Sequence, residues 1–352
     1  MKVVQRVEKI KNAEALLLDC DGTIIDTSMS YDLAIKLSTI IILDKVFNVE
    51  IKLGKEVERT LNAFRMAGGF NNDCDSASAI IQTLTAFLPE TVEFNKDEWK
   101  IVQDVDGYLR LIGYERSYPE FVSTALDWLT SQLILRKEYL DLKKVEEMIN
   151  EKAAFLRNSS KLSKLRSFLN YPGNFGLSLL ATLFDELFLG SKGVREKYNW
   201  EPRYVIYDGT LVNERVLISE ESMIELSKIF DECIGLITGR GRWETEKTLA
   251  PFLKYLNMEA SIFTADKGLE YEKPSPRALI EVAKILKTNK LLYVGNAMED
   301  LLMSLSASRE GLEVGFIGVA NTGEKAREFQ LRGADAIIHD INELPSLIKD
   351  LQ

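Results

Sequence analysis

The hydrophobic residues follow two different patterns along the chain. Short, continuous apolar runs occupy residues 15–19, 233–237, 260–263, 291–294, 314–319 and 334–338, and such runs are typical of strands buried on both faces of a parallel sheet. Between the later runs, apolar residues recur at helical spacing over residues 220–230, 243–256, 276–286, 299–308, 324–332 and 343–351. This alternation predicts an α/β domain with a Rossmann-like parallel sheet.

The middle of the chain shows only the helical pattern of apolar residues. Apolar residues recur at helical spacing over residues 31–47, 54–66, 75–87, 98–113, 120–136 and 142–156, and none of these segments has a convincing strand pattern. The run at 15–19 has no strand neighbour nearby, so we assign it to the same sheet as the later runs. We therefore predict an α/β core of residues 1–29 and 203–352, interrupted by an inserted all-helical domain of residues 30–202. Two domains also suit the length of 352 residues, at roughly 150 residues per domain.

The charge balance restricts the class of partner. The chain has 44 basic and 54 acidic residues, a formal net charge of −10, which argues against a nucleic-acid binder because phosphate backbones require basic surface. A small phosphorylated metabolite needs only a local positive pocket. The single histidine, His339, excludes any mechanism that needs two, and the three widely spaced cysteines form no disulfide or zinc pattern. Candidate chemistry therefore rests on carboxylates, lysine, hydroxyls or a metal ion.

No targeting or membrane-spanning segment is recognisable in the sequence. The first residues contain no long apolar stretch with a cleavage site, and the early apolar run at 40–43 is far shorter than the roughly 20 residues that span a bilayer. We expect a soluble, cytoplasmic protein without a membrane partner. The sequence pattern does not indicate an oligomeric state.

Polar residues follow four of the apolar runs, at or beyond their carboxyl ends. In open parallel sheets, ligands bind beyond this edge. The four groups are Asp19-Cys20-Asp21-Gly22-Thr23, Thr238-Gly239-Arg240, Lys273-Pro274-Ser275-Pro276 and Gly295-Asn296-Ala297-Met298-Glu299-Asp300. Together they provide carboxylates, a hydroxyl, a lysine and an amide at one edge of the predicted sheet.

These side chains suit phosphoryl transfer at a Mg²⁺ ion. Asp19 and Asp21 can direct a carboxylate and a backbone carbonyl toward the ion, which prefers oxygen ligands. The turn at residues 22–23 lets backbone N–H groups approach a phosphate, and Thr238 and Lys273 can bind the other phosphoryl oxygens. With the ion present, Asp19 can attack phosphorus and form an aspartyl-phosphate. Taken alone, the acids could form a turn, Thr238 could cap a helix and Lys273 could be a surface charge.

The motifs DCDGTIID, ITGR, KPSP and VGNAMED, in this order, resemble the four motifs of the haloacid dehalogenase superfamily, phosphatase branch. The position of the insertion, between the first and second motifs, resembles members with a helical cap of the first type. The stretches FRMAGGFNND and GNFG…LFDELFLG resemble a poorly characterised phosphatase-like subgroup. The core resemblance covers about half of the chain.

The resemblance implies a role for each matching residue. Asp19 is expected to be the nucleophile and a Mg²⁺ ligand. Asp21 is expected to give its backbone carbonyl to the ion and to act as general acid and base, which also speaks against a true dehalogenase. Thr238 and Lys273 are expected to hold the phosphoryl group. Gly22, Thr23, Gly239 and Arg240 are expected to contact the substrate, although Arg240 alone would equally suit a surface charge.

The fourth motif departs from the family pattern. It usually begins with an acidic metal ligand, and here that position is Asn296. An asparagine can offer its carbonyl oxygen to Mg²⁺ without adding charge, so metal affinity is expected to fall. Asp300 matches the second acid of the motif and is expected to complete the metal site, with Glu299 as a further contributor.

The glycine-rich loop at residues 68–73 is the candidate for recognition of the leaving group. In capped phosphatases such loops reach over the core, and Arg65 and Asn72 are the expected contacts; as a plain sequence feature it is a connector between helices. We assign no catalytic role to Cys20, which lies between the two acids. The tripeptide at 208–210 repeats Asp-Gly-Thr without an acid two residues earlier, so we interpret it as a turn.

The sequence leaves three functions open. The leading one is a Mg²⁺-dependent phosphomonoester hydrolase acting on a small metabolite. A phosphosugar mutase, or a phosphonate hydrolase that forms a Schiff base with a cap lysine, would share the same core. A degenerate member that binds a phosphorylated ligand without turnover is suggested only by Asn296.

Overall fold

The structure is a computed structural model that describes residues 3–4, 7–70, 72–95, 99–136, 140–231 and 233–351. Its strands are β1 (Val3–Val4), β2 (Ala15–Leu18), β3 (Ile25–Asp26), β4 (Leu53–Gly54), β5 (Ile112–Tyr114), β6 (Arg215–Val216), β7 (Ile234–Thr238), β8 (Ile262–Phe263), β9 (Lys290–Gly295), β10 (Glu313–Val319) and β11 (Ala336–Ile338).

The α-helices are named in the same chain order. They are α1 (Val7–Lys11), α2 (Tyr31–Phe47), α3 (Lys55–Ala67), α4 (Asp73–Ala86), α5 (Val105–Leu109), α6 (Glu120–Leu135), α7 (Leu142–Phe155), α8 (Ser159–Leu169), α9 (Leu179–Tyr198), α10 (Glu220–Phe230), α11 (Arg242–Thr248), α12 (Arg277–Leu286), α13 (Met298–Arg309), α14 (Gly323–Arg332) and α15 (Leu344–Leu351). None of the helices in the described part of the chain is long and apolar enough to cross a membrane.

The chain divides into two compact units. One consists of residues 1–27 and 214–352 and is called the α/β unit below, and the other consists of residues 28–213 and is called the helical unit. The helical unit is thus a single insertion into the α/β unit. The predicted functions of the two parts, catalytic core and cap, stay predictions.

The α/β unit is built on one sheet with the strand order β1-β11-β10-β9-β2-β7-β8. All neighbours pair in parallel except β1, which pairs antiparallel with β11. Each predicted apolar run overlaps one of the parallel strands, and the strand from residues 15–18 lies between β9 and β7 as an inner strand. The predicted α/β fold with a parallel sheet is confirmed.

The apolar runs form these strands because both of their faces are buried. Every residue of β2 and of β7 is buried, and side chains from both strands join a core that also includes Val294 and Ile317. Burial of this kind stabilises a strand by about 1.5–3 kcal/mol for each large aliphatic side chain. One predicted helix, 243–256, is interrupted: α11 ends at Thr248 and a 3₁₀ helix, Ala250–Tyr255, follows. Pro251 explains the break, since it cannot donate a backbone hydrogen bond.

The helical unit differs from the prediction in one segment. Helix α2, which is buried on nearly all sides, packs against α4 and α9, and the amphipathic helix α3 packs against α6. The helix predicted over residues 98–113 is wrong for most of its length, and Glu98 itself lies outside the described residues. Only α5 is helical there, and Ile112–Tyr114 forms a short strand that pairs in parallel with Leu53–Gly54. Gly113 lies in this strand and disfavours a helix there, which the spacing of apolar residues alone does not show.

The α/β unit resumes at Glu214 and not at the predicted residue 203. The buried carboxylate of Glu186 accepts hydrogen bonds from the backbone N–H groups of Arg203, Tyr204 and Val205, at 2.6, 2.8 and 2.9 Å. These bonds keep the segment after α9 within the helical unit. The tripeptide at 208–210 lies in the same segment, where a Cβ atom on Gly209 would lie 2.5 Å from the backbone nitrogen of Gly190.

Candidate active site

The carboxyl ends of three adjacent strands meet in the α/β unit. Asp19 directly follows β2, Thr238 ends β7, and Asn296 directly follows β9. Because β2 lies between β9 and β7, these residues belong to neighbouring positions on one edge of the sheet. The backbone N–H of Asp19 donates to Val294 O at 2.9 Å, so the sheet holds this residue in a fixed direction.

Lys273 joins two acids that are far apart in the sequence. Its Nζ lies 2.6 Å from Asp19 Oδ1 and 2.7 Å from Asp300 Oδ1. The side chains are 5%, 7% and 0% exposed, respectively. Two carboxylates therefore share one ammonium group out of bulk water, where the interaction between charges is stronger than at the surface.

Both carboxylate oxygens of Asp300 already bind groups of the protein. Besides Lys273, its Oδ1 lies 2.8 Å from the hydroxyl of Tyr293, and its Oδ2 accepts from the backbone N–H of Ala297 at 2.9 Å. The Tyr293 hydroxyl also lies 3.0 Å from Ile237 O, so its one proton is shared between two acceptors. Tyr293 was not predicted as a site residue, since a tyrosine inside a buried strand gives no sequence signal of its own.

The turn after Asp19 wraps around its carboxylate. Thr23 Oγ1 donates to Asp19 Oδ2 at 3.0 Å, and Cys20 O accepts from the backbone N–H of Thr23 at 3.1 Å. Gly22 has a φ of +70° and lies against the amide of Asn296, where a Cβ atom on Gly22 would be only 2.0 Å from Asn296 Nδ2. Both the backbone angle and this close approach require glycine. The structure thus brings the first and fourth predicted motifs together.

The second motif forms a tight turn in which Thr238 is buried. Thr238 Oγ1 accepts from the backbone N–H of Arg240 at 3.2 Å, with Gly239 between them. The guanidinium of Arg240 does not lie at the surface; it binds Asp21 and Glu214, each through contacts of 2.8 Å. Glu214 was not predicted, because a lone acid after the insertion has no motif around it. The predicted contacts of Thr238, Gly239 and Arg240 with a substrate stay predictions.

Burial dominates the proton affinities at this site. It raises the pKa of Asp19 to about 7, although the charge of Lys273 acts in the opposite direction. Burial acts to lower the pKa of Lys273, but the charges of Asp19 and Asp300 outweigh it and raise that pKa well above its ordinary value. Burial and the charge of Asp300 also raise the pKa of Glu299 to about 8, and Glu299 Oε2 has no hydrogen-bond partner among the described residues.

Cys20 is not a nucleophile in this environment. Its thiol is buried, and burial together with the charges of Asp19 and Asp21 raises the pKa of Cys20 far above its ordinary value. A thiol that stays protonated is a poor nucleophile.

The donor atoms at this site fit Mg²⁺ better than a soft metal. Among the described residues, no group of three or more His, Cys, Asp or Glu side chains could hold a metal ion. Mg²⁺ needs only one or two carboxylates and keeps several waters. Lys273 and Thr23 each use one acceptor position on Asp19, and a carboxylate has about four, so Asp19 retains capacity for a metal ion. The amide oxygen of Asn296 is a second oxygen donor next to the same turn.

The two candidate recognition residues lie in the helical unit. Arg65 pairs with Asp32, and Asn72 caps the N-terminus of α4 by accepting from the backbone N–H of Cys74 at 2.9 Å. Asn71, in the same loop, lies outside the described residues. Contact of Arg65 or Asn72 with a substrate stays a prediction.

Comparisons with known proteins support the fold. Neither a family model nor a curated protein matches the chain. Phosphatase Tt82 from Thermococcus thioreducens is similar in structure, with a TM-score of 0.53 and 19% sequence identity over 95% of this chain and 98% of that chain. A provisionally named phosphoglycolate phosphatase from Lactobacillus delbrueckii subsp. bulgaricus has a TM-score of 0.51 and 12% identity over 96% and 98%. A superfamily hydrolase of subfamily IA from Geobacter sulfurreducens has a TM-score of 0.42 and 12% identity over 96% of both chains.

At these identities the similarity concerns the fold. The two structures with TM-scores above 0.5 share the fold of this chain over nearly its whole length. The predicted resemblance is thereby confirmed at the level of architecture: this chain has the fold of the haloacid dehalogenase-like phosphatases.

Proposed function

We propose that this protein is a Mg²⁺-dependent phosphomonoester hydrolase that forms an aspartyl-phosphate on Asp19. The observation that carries the proposal is the contact of Lys273 with both Asp19 and Asp300 at the carboxyl ends of adjacent strands. A lysine, a nucleophilic carboxylate and an oxygen-donor metal site are the groups that phosphoryl transfer requires. The similarity of the fold to known phosphatases agrees with this chemistry.

Asp19 is the proposed nucleophile because its position is fixed and its charge is only partly neutralised. The β2 strand, Thr23 and Lys273 each restrain it. The charge of Lys273 opposes the effect of burial on the pKa of Asp19, and it provides positive charge beside the attacking oxygen. The bound metal ion would neutralise phosphoryl oxygens, with Asp19, the Asp21 backbone carbonyl and Asn296 as its proposed ligands.

Asp300 is better placed to orient Lys273 than to bind the ion. Lys273, Tyr293 and Ala297 already occupy its two oxygens. We therefore place Asp300 as the residue that fixes the lysine, and its direct contact with Mg²⁺, predicted from the motif, is the weaker proposal.

Asp21 is the proposed general acid and base. It protonates the leaving oxygen when Asp19 attacks phosphorus, and it then takes a proton from the water that releases phosphate from Asp19. Thr238 is proposed to bind a phosphoryl oxygen through its hydroxyl. The substrate class is a small phosphorylated metabolite in the cytoplasm, with Arg65 and Asn72 of the helical unit as proposed contacts for its leaving group.

The test is turnover of p-nitrophenyl phosphate with Mg²⁺ and with EDTA, in wild type and Asp19→Asn. We expect turnover that depends on the metal ion and falls by more than about 10³-fold in the variant. The chain offers a matched control, Asp208→Asn, since Asp208 begins the second Asp-Gly-Thr tripeptide. That variant should retain wild-type turnover. Metal-independent turnover, or full activity of Asp19→Asn, would contradict the proposal.

A phosphonate hydrolase that forms a Schiff base is less well supported. Lys36, on α2, is the one buried lysine among the described residues of the helical unit. Its Nζ lies 3.3 Å from Glu58 Oε1, so this amine already has a carboxylate partner. Borohydride reduction in the presence of phosphonoacetaldehyde should therefore leave the protein unmodified.

A further inference from the structure

Arg240 is a buried cation whose two terminal nitrogens are committed to other side chains. Its side chain is 0% exposed. Nη1 donates to Asp21 Oδ1 and to Glu214 Oε1, both at 2.8 Å, and Nη2 donates to Glu214 Oε2 at 2.9 Å. Thr248 Oγ1 lies 3.4 Å from Nη2. The four protons on Nη1 and Nη2 thus all have acceptors within the α/β unit, which leaves none of them for a substrate phosphate.

Glu214 fixes the guanidinium in one orientation. Its carboxylate is 1% exposed and binds Arg240 through both oxygens, in the fork geometry that restricts rotation of both groups. A buried guanidinium requires this partner, because a buried charge without one is strongly unfavourable. Arg240 and Glu214 therefore form a rigid support beside the first motif.

The third member of this group, Asp21, is the one that is partly exposed. Asp21 is 30% exposed and meets Arg240 through Oδ1. Arg240 binds one carboxylate oxygen of Asp21, Oδ1, so the contact sets the direction of the other oxygen, Oδ2. A general acid needs a fixed position for its proton-bearing atom, because proton transfer depends on the distance and direction of that atom.

We propose that Arg240, held by Glu214, is a positioning residue that directs Oδ2 of Asp21 toward the leaving oxygen and the attacking water. This inference rests on the proposed phosphatase function. In the first step the Asp19 oxygen bonds to phosphorus, the bond from phosphorus to the leaving oxygen breaks, and the proton on Asp21 Oδ2 moves to that oxygen. In the second step water bonds to phosphorus, its proton returns to Asp21 Oδ2, and Asp19 leaves with its electron pair.

The test compares two substrates that differ in whether their leaving group must be protonated. p-Nitrophenolate leaves as a stable anion without a proton, whereas the alkoxide that leaves glycerol phosphate needs a proton from a general acid. In Arg240→Met, kcat/KM for glycerol phosphate should fall about 100-fold, and kcat/KM for p-nitrophenyl phosphate less than about fivefold, because general acid catalysis contributes about 10²–10⁴-fold. The pH profile of kcat/KM should change for glycerol phosphate alone.

A matched arginine serves as the control. Arg242 is 55% exposed and pairs with Glu246 on the surface. Arg242→Met should therefore leave both substrates at wild-type rates. Arg240→Lys keeps the charge without the fork and should recover only part of the glycerol phosphate activity.

Removing both buried charges together distinguishes a catalytic effect from a folding defect. The double variant Arg240→Gln/Glu214→Gln leaves no unpaired buried ion, and its thermal unfolding is measured beside its kinetics. Selective loss of glycerol phosphate turnover in this folded variant supports the proposal. Equal loss on both substrates, with a raised KM, would show that Arg240 binds the substrate directly and would overturn it. Wild type that hydrolyses neither substrate at any metal concentration overturns the phosphatase function itself.

Discussion

Two buried carboxylates, one in each unit, have opposite electrostatic surroundings. Glu56 of the helical unit accepts hydrogen bonds from the backbone N–H of Ser117 and from the hydroxyls of Ser117 and Ser123, at 3.1–3.4 Å. These bonds outweigh burial and hold the pKa of Glu56 below its ordinary value. Asp19 of the α/β unit shares one lysine with a second acid, and its pKa is raised to about 7.

The difference distinguishes a structural acid from a reactive one. Glu56 lies in α3, and its donors belong to Ser117, before α6, and to Ser123, within α6, so its negative charge joins two parts of the chain. At Asp19, two buried carboxylates share a single lysine, so negative charge exceeds positive charge there. A ligand that brings positive charge, such as Mg²⁺, therefore improves the electrostatic balance at Asp19 and would not improve it at Glu56.

The largest expected effect comes from removing the shared cation. Lys273→Met leaves Asp19 and Asp300 buried without their partner, which costs about 3–5 kcal/mol of the free energy of unfolding when one member of a buried pair is lost. Turnover should fall by more than about 10³-fold, since charge stabilisation and positioning of the nucleophile are lost together. Kinetics and urea denaturation at pH 7.5 measure both effects.

Glu56→Gln is the matching change in the helical unit. It weakens hydrogen bonds to a charged acceptor and should lower the free energy of unfolding by about 1.5–3 kcal/mol. Its kcat should stay within about twofold of wild type, because Glu56 has no proposed part in the chemistry. The distinction between the two acids fails if Glu56→Gln reduces kcat as strongly as Lys273→Met does.

The sheet could be predicted from the sequence because each of its inner strands is buried on both faces. Runs such as residues 291–294 and 314–319 are apolar without interruption, which is typical of a strand buried on both faces. The strands found there match these runs closely. The short pair β4 and β5 could not be predicted this way. Each has two or three residues and depends on contacts between segments that are far apart in the sequence.

The site was predictable only where a residue has a motif around it. Asp19, Lys273 and Asp300 come from three motifs, and the structure brings them into contact. Glu214 and Tyr293 were missed, because their importance arises from distances in space and their neighbours in the sequence are unremarkable in composition. The sequence also left open whether Arg240 is a surface charge or a substrate contact, and the structure shows that its side chain is buried.

Asn296 is the position where added negative charge tests the proposed metal site. Asn296→Asp adds a carboxylate to a site that lacks positive charge, so affinity for Mg²⁺ should rise by about tenfold, following the charge of the ligand set. The Mg²⁺ dependence of thermal unfolding reports this affinity independently of turnover. An unchanged Mg²⁺ dependence in Asn296→Asp would remove residue 296 from the metal site.

The pH dependence of stability should follow the raised pKa values of Asp19 and Glu299. Above about pH 5 the folded protein keeps protons that the unfolded chain has lost, on Asp19 up to about pH 7 and on Glu299 up to about pH 8. The free energy of unfolding should therefore fall as pH rises through this range, by up to about 1.4 kcal/mol per pH unit for each group. Urea denaturation in EDTA measures this slope. Glu299→Gln should flatten it.

Glu56 provides the opposite sign and a different window. Its lowered pKa stabilises the fold above the ordinary glutamate value, and this stabilisation is lost only as the pH falls through the lower pKa of the folded state. Glu56→Gln should therefore leave the slope between pH 5 and 8 unchanged. A slope that Glu299→Gln does not alter would mean that another group carries the titration.

The smallest effect concerns Asn72, whose local role can be separated from its proposed role with substrate. Asn72→Ala removes the side chain that caps α4 and should lower the free energy of unfolding by about 1 kcal/mol. Asn72→Ser keeps a capping oxygen and should restore stability while removing the amide. A raised KM for the physiological phosphate ester in Asn72→Ser would then be due to the lost amide alone, whereas an unchanged KM would leave Asn72 with the same purely structural character as Glu56.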